Sequence, residues 1–248
     1  MNQSFFIGAV GAHQQLKRLT VHSNNIANVN TYGFKAEKSR FTDLMYDHER
    51  AIENDELPYG VGSALWTTAT DFSAGPPVST ERDQDYMIDG DGFFALVDLE
   101  TNEISLTRNG AFVISSLQRA SGEVDDAGTP VMETIYYLSD NQGRFVLSRS
   151  GGMIEVTDQH EEQPVGVFDY INYSGMEHVD GTRFLAVDKN GGIRLGDSQA
   201  VRGMLENSNA DLAEEFTKVI ESQRAYQMAL RMVTTSDEIE STINGLSS

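Results

Sequence analysis

The chain has 248 residues, 39% of them hydrophobic, which is enough for one core of ordinary size plus extensions. Its formal net charge of −20 argues against nucleic-acid binding, because that function needs a basic surface. With no cysteine, the chain can form neither disulfides nor thiolate metal sites.

The N-terminus lacks the run of about 7–15 apolar residues that a secretory signal peptide contains. No apolar stretch approaches the ~18–20 residues needed to span a bilayer. We therefore expect no membrane insertion, and either a cytoplasmic protein or one exported by another route.

The acidity is concentrated in the middle of the chain. Residues 1–36 contain Lys17, Arg18 and Lys35 and no acidic residue. Residues 201–248 carry four basic and eight acidic residues. The opposite signs at the two ends fit a pairing of the termini, although a surface ion pair contributes only ~0–1 kcal/mol.

The N-terminal segment is predicted to be helical because apolar and small residues recur with the 4-3 spacing of a narrow helical stripe. The stripe consists of Phe5, Ala9, Ala12, Leu16, Leu19, Ser23 and Ile26. Gly8 and Gly11 lower the helix propensity by up to ~1 kcal/mol each. The helix is therefore expected to be marginal alone and to end near residues 28–33.

The C-terminal segment repeats this spacing. Its stripe consists of Leu212, Phe216, Val219, Gln223, Tyr226, Leu230 and Val233, followed after an offset by Ile239, Ile243 and Leu246. Asn209 or Asp211 is the expected N-cap. At ~1.5 Å per residue, residues 212–246 would form a rod of about 50 Å.

Between the helices the hydrophobic period changes to two, which predicts strands. The predicted strands are Ser63–Thr70, Tyr86–Ile88, Phe93–Val97, Ile104–Leu106, Ala111–Ile114, Thr134–Leu138, Phe145–Leu147, Met153–Val156, Val165–Tyr170, Arg183–Val187 and Ile193–Leu195. Residues 108–110, 140–143 and 188–192 are predicted hairpin turns, because Asn and Gly tolerate positive φ. Residues 75–200 are expected to form a β domain that folds alone, and residues 36–74 an extended connector.

The fold class predicted from this order is α+β, with a helix at each end and an inserted all-β domain. Each narrow stripe needs a partner. Either both helices pack on the β domain, or they pair with each other and with neighbouring molecules.

Three stretches resemble the bacterial flagellar rod and hook proteins, in order and spacing, over essentially the whole chain. The first is Ser23-Asn24-Asn25-Ile26-Ala27-Asn28-Val29-Asn30-Thr31-Tyr32-Gly33-Phe34-Lys35. The second is Asp89-Gly90-Asp91-Gly92-Phe93-Phe94 with Thr107-Arg108-Asn109-Gly110-Ala111-Phe112. The third runs from Gly203 through Glu215-Phe216 and Gln223–Gln227 to Glu238.

The resemblance implies a structural, non-enzymatic subunit of the flagellar basal-body rod. Residues 1–35 and 201–248 would form a coiled-coil or helix-bundle core, with the β domain outside. The implied partners are the protein itself, other rod and hook subunits, and the flagellar type III export apparatus. The implied location is the extracytoplasmic basal body, reached without a cleaved signal peptide. Proximal rod, distal rod, hook or another axial component all stay open.

The resemblance also assigns roles to residues. The family motif comprises Asn24, Asn25, Asn28, Thr31, Gly33 and Phe34. The expected assembly interface on the N-terminal helix comprises Phe5, Ala12, Leu16, Leu19 and Ile26. That on the C-terminal helix comprises Leu212, Phe216, Val219, Gln223, Arg224, Tyr226, Leu230, Val233, Ile239 and Ile243. Asn28 and Asn30 are expected to satisfy backbone groups at the helix end, Gly33 to adopt positive φ, and Phe34 to anchor the chain.

The sequence gives little evidence of a catalytic or metal-binding site. Residues 89–100 fail as an EF-hand loop because Phe93 stands where an oxygen ligand is needed. The five histidines show no metal-binding spacing, so neither metal nor cofactor is expected. Two other functions stay open. A glycan hydrolase using two carboxylates would cleave peptidoglycan, and an acidic β-rich adhesin or binding module would not self-associate through its termini.

Overall fold

The computed structural model describes residues 3–43, 46–50, 56–60, 63–124 and 130–246. The chain divides into two compact units. The first unit comprises Met1–Val29, Ala36–Asp71 and Ala210–Ser248. The second comprises Asn30–Lys35 and Phe72–Asn209. This division agrees with the α+β class.

The first unit combines the two helices with two strand pairs. Helix α1 (Gln3–Ala27) packs on helix α2 (Leu212–Leu246), and no proline interrupts either one. Helix α1 also contacts β1 (Glu37–Asp43) and β4 (Ser63–Thr70), which pair antiparallel.

Strands β2 (Tyr46–Arg50) and β3 (Glu56–Gly60) form a second antiparallel pair in the first unit. Much of the segment expected as an extended connector therefore consists of paired strands. Its residues 44–45, 51–55 and 61–62 lie outside the described part of the chain.

The second unit is built around a mainly antiparallel sheet. Its strands are β5 (Pro77–Ser79), β6 (Tyr86–Asp89), β7 (Phe93–Val97), β8 (Ile104–Thr107), β9 (Val113–Val124), β10 (Pro130–Ser139), β11 (Phe145–Val146), β12 (Val167–Asp169), β13 (Glu177–His178), β14 (Arg183–Leu185), β15 (Arg194–Leu195), β16 (Gln199–Arg202) and β17 (Met204–Glu206). The sheet order is β13-β14-β8-β7-β11-β10-β9, with β12 joining β7 to β15. Two short pairs, β16–β6 and β17–β5, complete the unit.

Strand β7 lies at the centre of the hydrophobic core. Side chains alternate across a strand, so Phe94 and Leu96 enter one buried cluster while Phe93 and Ala95 enter another. A strand buried on both faces reads as a continuous apolar run, which is what residues 93–97 show.

Only one of the three predicted hairpin turns joins neighbouring strands. Residues 140–143 connect the paired strands β10 and β11, with Gly143 at φ +84°. The prediction for residues 108–110 is wrong, because β8 and β9 are not neighbours in the sheet. Gly110 is needed there for close approach, since a Cβ would lie 1.8 Å from the Tyr86 carbonyl oxygen.

The prediction for residues 188–192 is also wrong. The flanking strands β14 and β15 pair with other strands, and Asp188–Asn190 form a short 3-10 helix. Composition marked the turn correctly but does not determine which strands pair across it.

The unit boundaries change the expectation that residues 75–200 fold alone. That fragment lacks Phe34 and Leu205, which are fully buried, and Phe72, which packs on a core cluster. It also lacks most of β16 and all of β17. We predict that it melts at a clearly lower temperature than the complete second unit in calorimetry, because each missing core side chain costs ~2–5 kcal/mol.

A fragment of residues 30–209 is the matched control, since it contains every residue of the second unit. It should melt cooperatively. A cooperative melt of residues 75–200 at the same temperature would contradict the prediction.

Candidate functional site: the helix pair and the motif cluster

The two terminal helices pack antiparallel within the first unit. At one end the Ser4 and Ser236 hydroxyl oxygens lie 2.9 Å apart. At the other end His22 Nδ1 lies 2.6 Å from Glu215 Oε2, and both side chains are buried. The start of α1 therefore meets the end of α2.

We call the contact between the helices the seam. On α1 it involves Ser4, Gly8, Gly11 and His22, and on α2 it involves Glu215, Ala229, Val233 and Ser236. A Cβ on Gly8 would lie 2.9 Å from Val233 Cγ2 and 3.2 Å from the Ala229 carbonyl oxygen. Small residues thus let the two backbones approach closely, and the seam buries little apolar surface.

Each seam residue on α1 comes one position before a residue of the predicted stripe. Ser4, Gly8, Gly11 and His22 precede Phe5, Ala9, Ala12 and Ser23. The apolar stripe is therefore not the side of α1 that meets α2.

Charges concentrate at one end of the seam. Glu215 accepts a hydrogen bond from Lys218 Nζ at 3.2 Å as well as contacting His22. Burial lowers the pKa of Lys218, but the hydrogen bonds that Lys218 donates to Glu214 and Glu215 outweigh burial and raise that pKa above its ordinary value. His22 Nε2 is buried and has no hydrogen-bond partner among the described residues.

Both helix ends use short polar side chains. Asp211 Oδ1 accepts hydrogen bonds from the Ala213 and Glu214 amides, which confirms Asp211 as the N-cap of α2. Asn28 Nδ2 donates to the Asn24 carbonyl oxygen at 3.0 Å, so Asn28 satisfies a backbone group as predicted. Asn25 is fully buried and pairs with both backbone groups of Glu37 on β1.

The structure places the predicted interface residues in three groups. Ala12 is buried. Half-buried are Phe5, Leu19, Ile26, Val219, Tyr226 and Val233. Exposed are Leu16, Leu212, Phe216, Gln223, Arg224, Leu230, Ile239 and Ile243.

Helix α2 carries two exposed apolar patches. The N-terminal patch comprises Leu212, Phe216, Ile220 and Leu230, and the C-terminal patch comprises Met228, Met232, Ile239, Ile243 and Leu246. At about 100° per residue, the two patches project to opposite sides of the seam. Sequence reasoning missed Ile220, Met228 and Met232, because a single stripe was followed along a helix that has two.

The second unit contains a buried charged cluster of Lys35, Arg108 and Glu206, which we call the motif cluster. Lys35 Nζ donates to Glu206 Oε1 at 2.5 Å, and Arg108 Nη1 donates to Glu206 Oε2 at 3.1 Å. The three side chains are 0%, 3% and 2% exposed. One carboxylate therefore compensates two buried cations.

Backbone groups complete the motif cluster. The Gly75 amide donates to Glu206 Oε1 at 2.8 Å, and Lys35 Nζ also donates to the Ser73 carbonyl oxygen. Arg108 Nη2 donates to the Gly90 carbonyl oxygen, and its guanidinium lies 5.5 Å from the Phe93 ring centre. All three stretches that carry the family resemblance thus contribute to one buried cluster.

Gly33 and Phe34 fix the first motif in the second unit. Gly33 has φ +70°, as predicted, and its amide donates to the Glu206 carbonyl oxygen at 2.8 Å. Phe34 is fully buried, which agrees with its predicted anchoring role, and its ring faces His178. Thr31 lies in the same segment and is half-buried.

The described residues form no group of three or more His, Asp or Glu that could bind a metal ion. Neither α1 nor α2 has an apolar stretch long enough to cross a bilayer.

Two family models match the ends of the chain. The model described as "Flagella basal body rod protein" matches residues 7–35, and "Flagellar basal body rod FlgEFG protein C-terminal" matches residues 201–246. The first match ends at Lys35, and the second contains Glu206.

Curated relatives align along nearly the whole chain. The flagellar basal-body rod protein FlgG of Buchnera aphidicola subsp. Schizaphis graminum is 30% identical over 260 residues, covering 96% of this chain and 97% of that protein. The protein of the same name from Borreliella burgdorferi is 29% identical, covering 99% of each chain. The flagellar hook-basal body complex protein FlhP of Bacillus subtilis is 26% identical, covering 99% of this chain and 100% of that protein.

The substitution Gly33→Ala tests the close approach in the motif cluster. A Cβ there would lie 2.2 Å from the Asn109 amide nitrogen and 2.4 Å from the Arg108 carbonyl carbon. Gly143→Ala is the control, since Gly143 also has positive φ but no atom within 4 Å of a Cβ. In urea denaturation we expect Gly143→Ala to cost ~1–2 kcal/mol, and Gly33→Ala at least ~1–3 kcal/mol more. Equal losses would contradict the close approach.

Hydrogen exchange tests the weakness of the seam. The buried residues of α2 are Glu215, Ser222 and Ser236, none of them apolar. Such a contact offsets little of the ordering cost of ~1–2 kcal/mol per residue. In dilute solution we expect residues 4–27 and 212–246 to exchange faster than β7 and β10. Equal protection would show that the seam alone stabilises the pair.

Proposed function

The chain belongs to the flagellar basal-body rod protein family and is a structural subunit of the rod, and on that premise we propose that it polymerises through the exposed patches of its helix pair. In the assembled rod, the terminal helices of neighbouring subunits would form a coiled-coil bundle. The second unit would lie outside it.

The observation that carries the proposal is the distribution of apolar side chains on α2. The side facing α1 carries Glu215, Ala229, Val233 and Ser236, while Phe216, Ile220, Met228 and Ile243 are each at least half exposed. Large apolar side chains left outside a helix pair mark a surface that another helix covers. The obvious partner in a rod is another subunit.

The two patches differ in sequence, lie on different sides of α2 and occupy different positions along it. Their centres are about 18 residues apart, or ~27 Å along the helix axis. A contact in which the N-terminal patch of one subunit meets the C-terminal patch of the next is heterologous, and such contacts propagate into helical filaments unless they close into a ring. This arrangement suits a rod.

Export without a cleaved signal peptide forms part of the proposal, with the flagellar type III export apparatus as a partner and an extracytoplasmic destination. The support is membership of the rod protein family. Ser4 and Gly8 belong to the folded helix pair.

We propose a non-enzymatic role. The buried charged side chains of the motif cluster pair with one another and with backbone groups. Charges neutralised in this way stabilise structure, whereas a catalytic carboxylate must face its substrate. No observation on the described residues favours the hydrolase or the adhesin.

The substitution Leu230→Asp separates assembly from folding. Leu230 is 40% exposed in the N-terminal patch, so a carboxylate there costs less than ~1 kcal/mol in the isolated subunit. In a desolvated contact between helices an unpaired carboxylate costs several kcal/mol. We expect an almost unchanged urea midpoint and loss of polymerisation, measured by light scattering and by rescue of motility in a deletion strain.

Thr217→Asp is the matched control, since it adds the same charge at an exposed α2 position outside both patches. It should leave polymerisation and stability unchanged. Normal motility with Leu230→Asp would rule out the N-terminal patch as an assembly contact. A loss of ~2–5 kcal/mol in stability would instead place Leu230 in the core of the subunit itself.

A further inference from the structure

The motif cluster contains two cations and one carboxylate. This imbalance plays no part in the proposed polymerisation. Two buried cations, Lys35 and Arg108, both pair with the carboxylate of Glu206. Loss of either cation leaves a one-to-one pair. Loss of the carboxylate leaves two buried positive charges close together, which is far more costly.

Glu206 also holds two other segments of the second unit in place. Its carbonyl oxygen accepts the Gly33 amide, and its carboxylate accepts the Gly75 amide. Strand β17, which ends at Glu206, pairs with β5 over only three residues. The side chain of Glu206 therefore reinforces a short strand pair that would be weak alone.

Two segments held by Glu206 lie next to the helices in the chain. Residues 30–35 follow α1 after two residues, and residues 203–209 precede α2 by two residues. Glu206 thus ties down both segments through which the helices are covalently joined to the second unit.

We propose that the motif cluster is a latch with two states. In the latched state Glu206 binds Lys35 and Arg108, and residues 30–35, 73–79 and 203–209 are held on the sheet. In the unlatched state these three segments detach together, while the sheet around β7, β10 and β11 stays folded. The latch therefore determines whether the helix-bearing chain segments are fixed to the second unit or free.

Closing the latch costs more loop entropy than pairing neighbouring strands. Glu206 is 171 residues from Lys35 and 98 residues from Arg108 in sequence. The pairs β7–β8 and β9–β10 join neighbours in the chain and cost less entropy to form. We therefore expect the latch segments to open before these strand pairs.

Hydrogen exchange of the full-length protein, followed by mass spectrometry, tests the latch. In Glu206→Gln we expect residues 30–35, 73–79 and 203–209 to exchange at least ~10-fold faster, and β7, β10 and β11 to stay within ~2-fold of the wild type. Lys35→Met and Arg108→Met should each change exchange in the three segments by less than ~3-fold, because a single ion pair remains.

Two further variants serve as controls for this exchange experiment. Leu138→Ala removes a fully buried core side chain and should raise exchange over the whole second unit. If Glu206→Gln does not fold, Lys35→Met with Glu206→Gln leaves one uncompensated cation and should show the same pattern of local opening to a smaller degree.

Three outcomes would overturn the proposal. Glu206→Gln could raise exchange uniformly, as Leu138→Ala does, which would make the motif cluster an ordinary part of the core. It could leave exchange unchanged, which would mean that Glu206 holds nothing. Removal of either cation could match the effect of Glu206→Gln, which would exclude charge compensation as the cause.

Discussion

The carboxylate of Glu206 is the group on which the arrangement of the second unit depends most. Two fully desolvated cations are tolerable only because this carboxylate lies within 2.5 Å of Lys35 Nζ and 3.1 Å of Arg108 Nη1. An uncompensated buried charge costs several kcal/mol, a large fraction of the stability of a domain. Gly33 and Gly75 approach the same residue, so the positions of residues 30–35 and 73–79 follow from where Glu206 lies.

The helix pair follows a different physical rule from the motif cluster. Its seam contains glycine, alanine, serine, Val233 and one His–Glu contact, which fix the register of the two helices. The larger apolar side chains of α2 point elsewhere. Specific polar contacts thus help to set the geometry within the subunit, and the larger apolar side chains of α2 stay exposed.

Local patterns in the sequence predicted local structure well. Short hydrophobic runs located β4 and β7 with the bounds that the structure gives, and the stripes located both helices. The positive φ of Gly33 and the cap at Asp211 also followed from residue chemistry. The residues of α1 that contact α2 lie one position before the predicted stripe, because a stripe marks the most apolar side of a helix and does not identify its partner. The motif cluster was missed because Lys35, Arg108 and Glu206 meet across 98 to 171 residues, and no short-range pattern records such a meeting.

The proposed assembly contact is weak, because the free energy that it supplies is close to the cost of association. A contact between the two patches would bury nine partly exposed side chains. Full burial of such a side chain contributes ~1.5–3 kcal/mol, so completing the burial of half-exposed ones gives roughly 1 kcal/mol each. The total of about 9 kcal/mol is comparable to the ~4–15 kcal/mol that association costs in lost freedom. One neighbour alone therefore holds a subunit poorly. At the rod tip, a subunit can contact neighbours through both patches at once. Two contacts then contribute their free energy, while the cost of association arises only once.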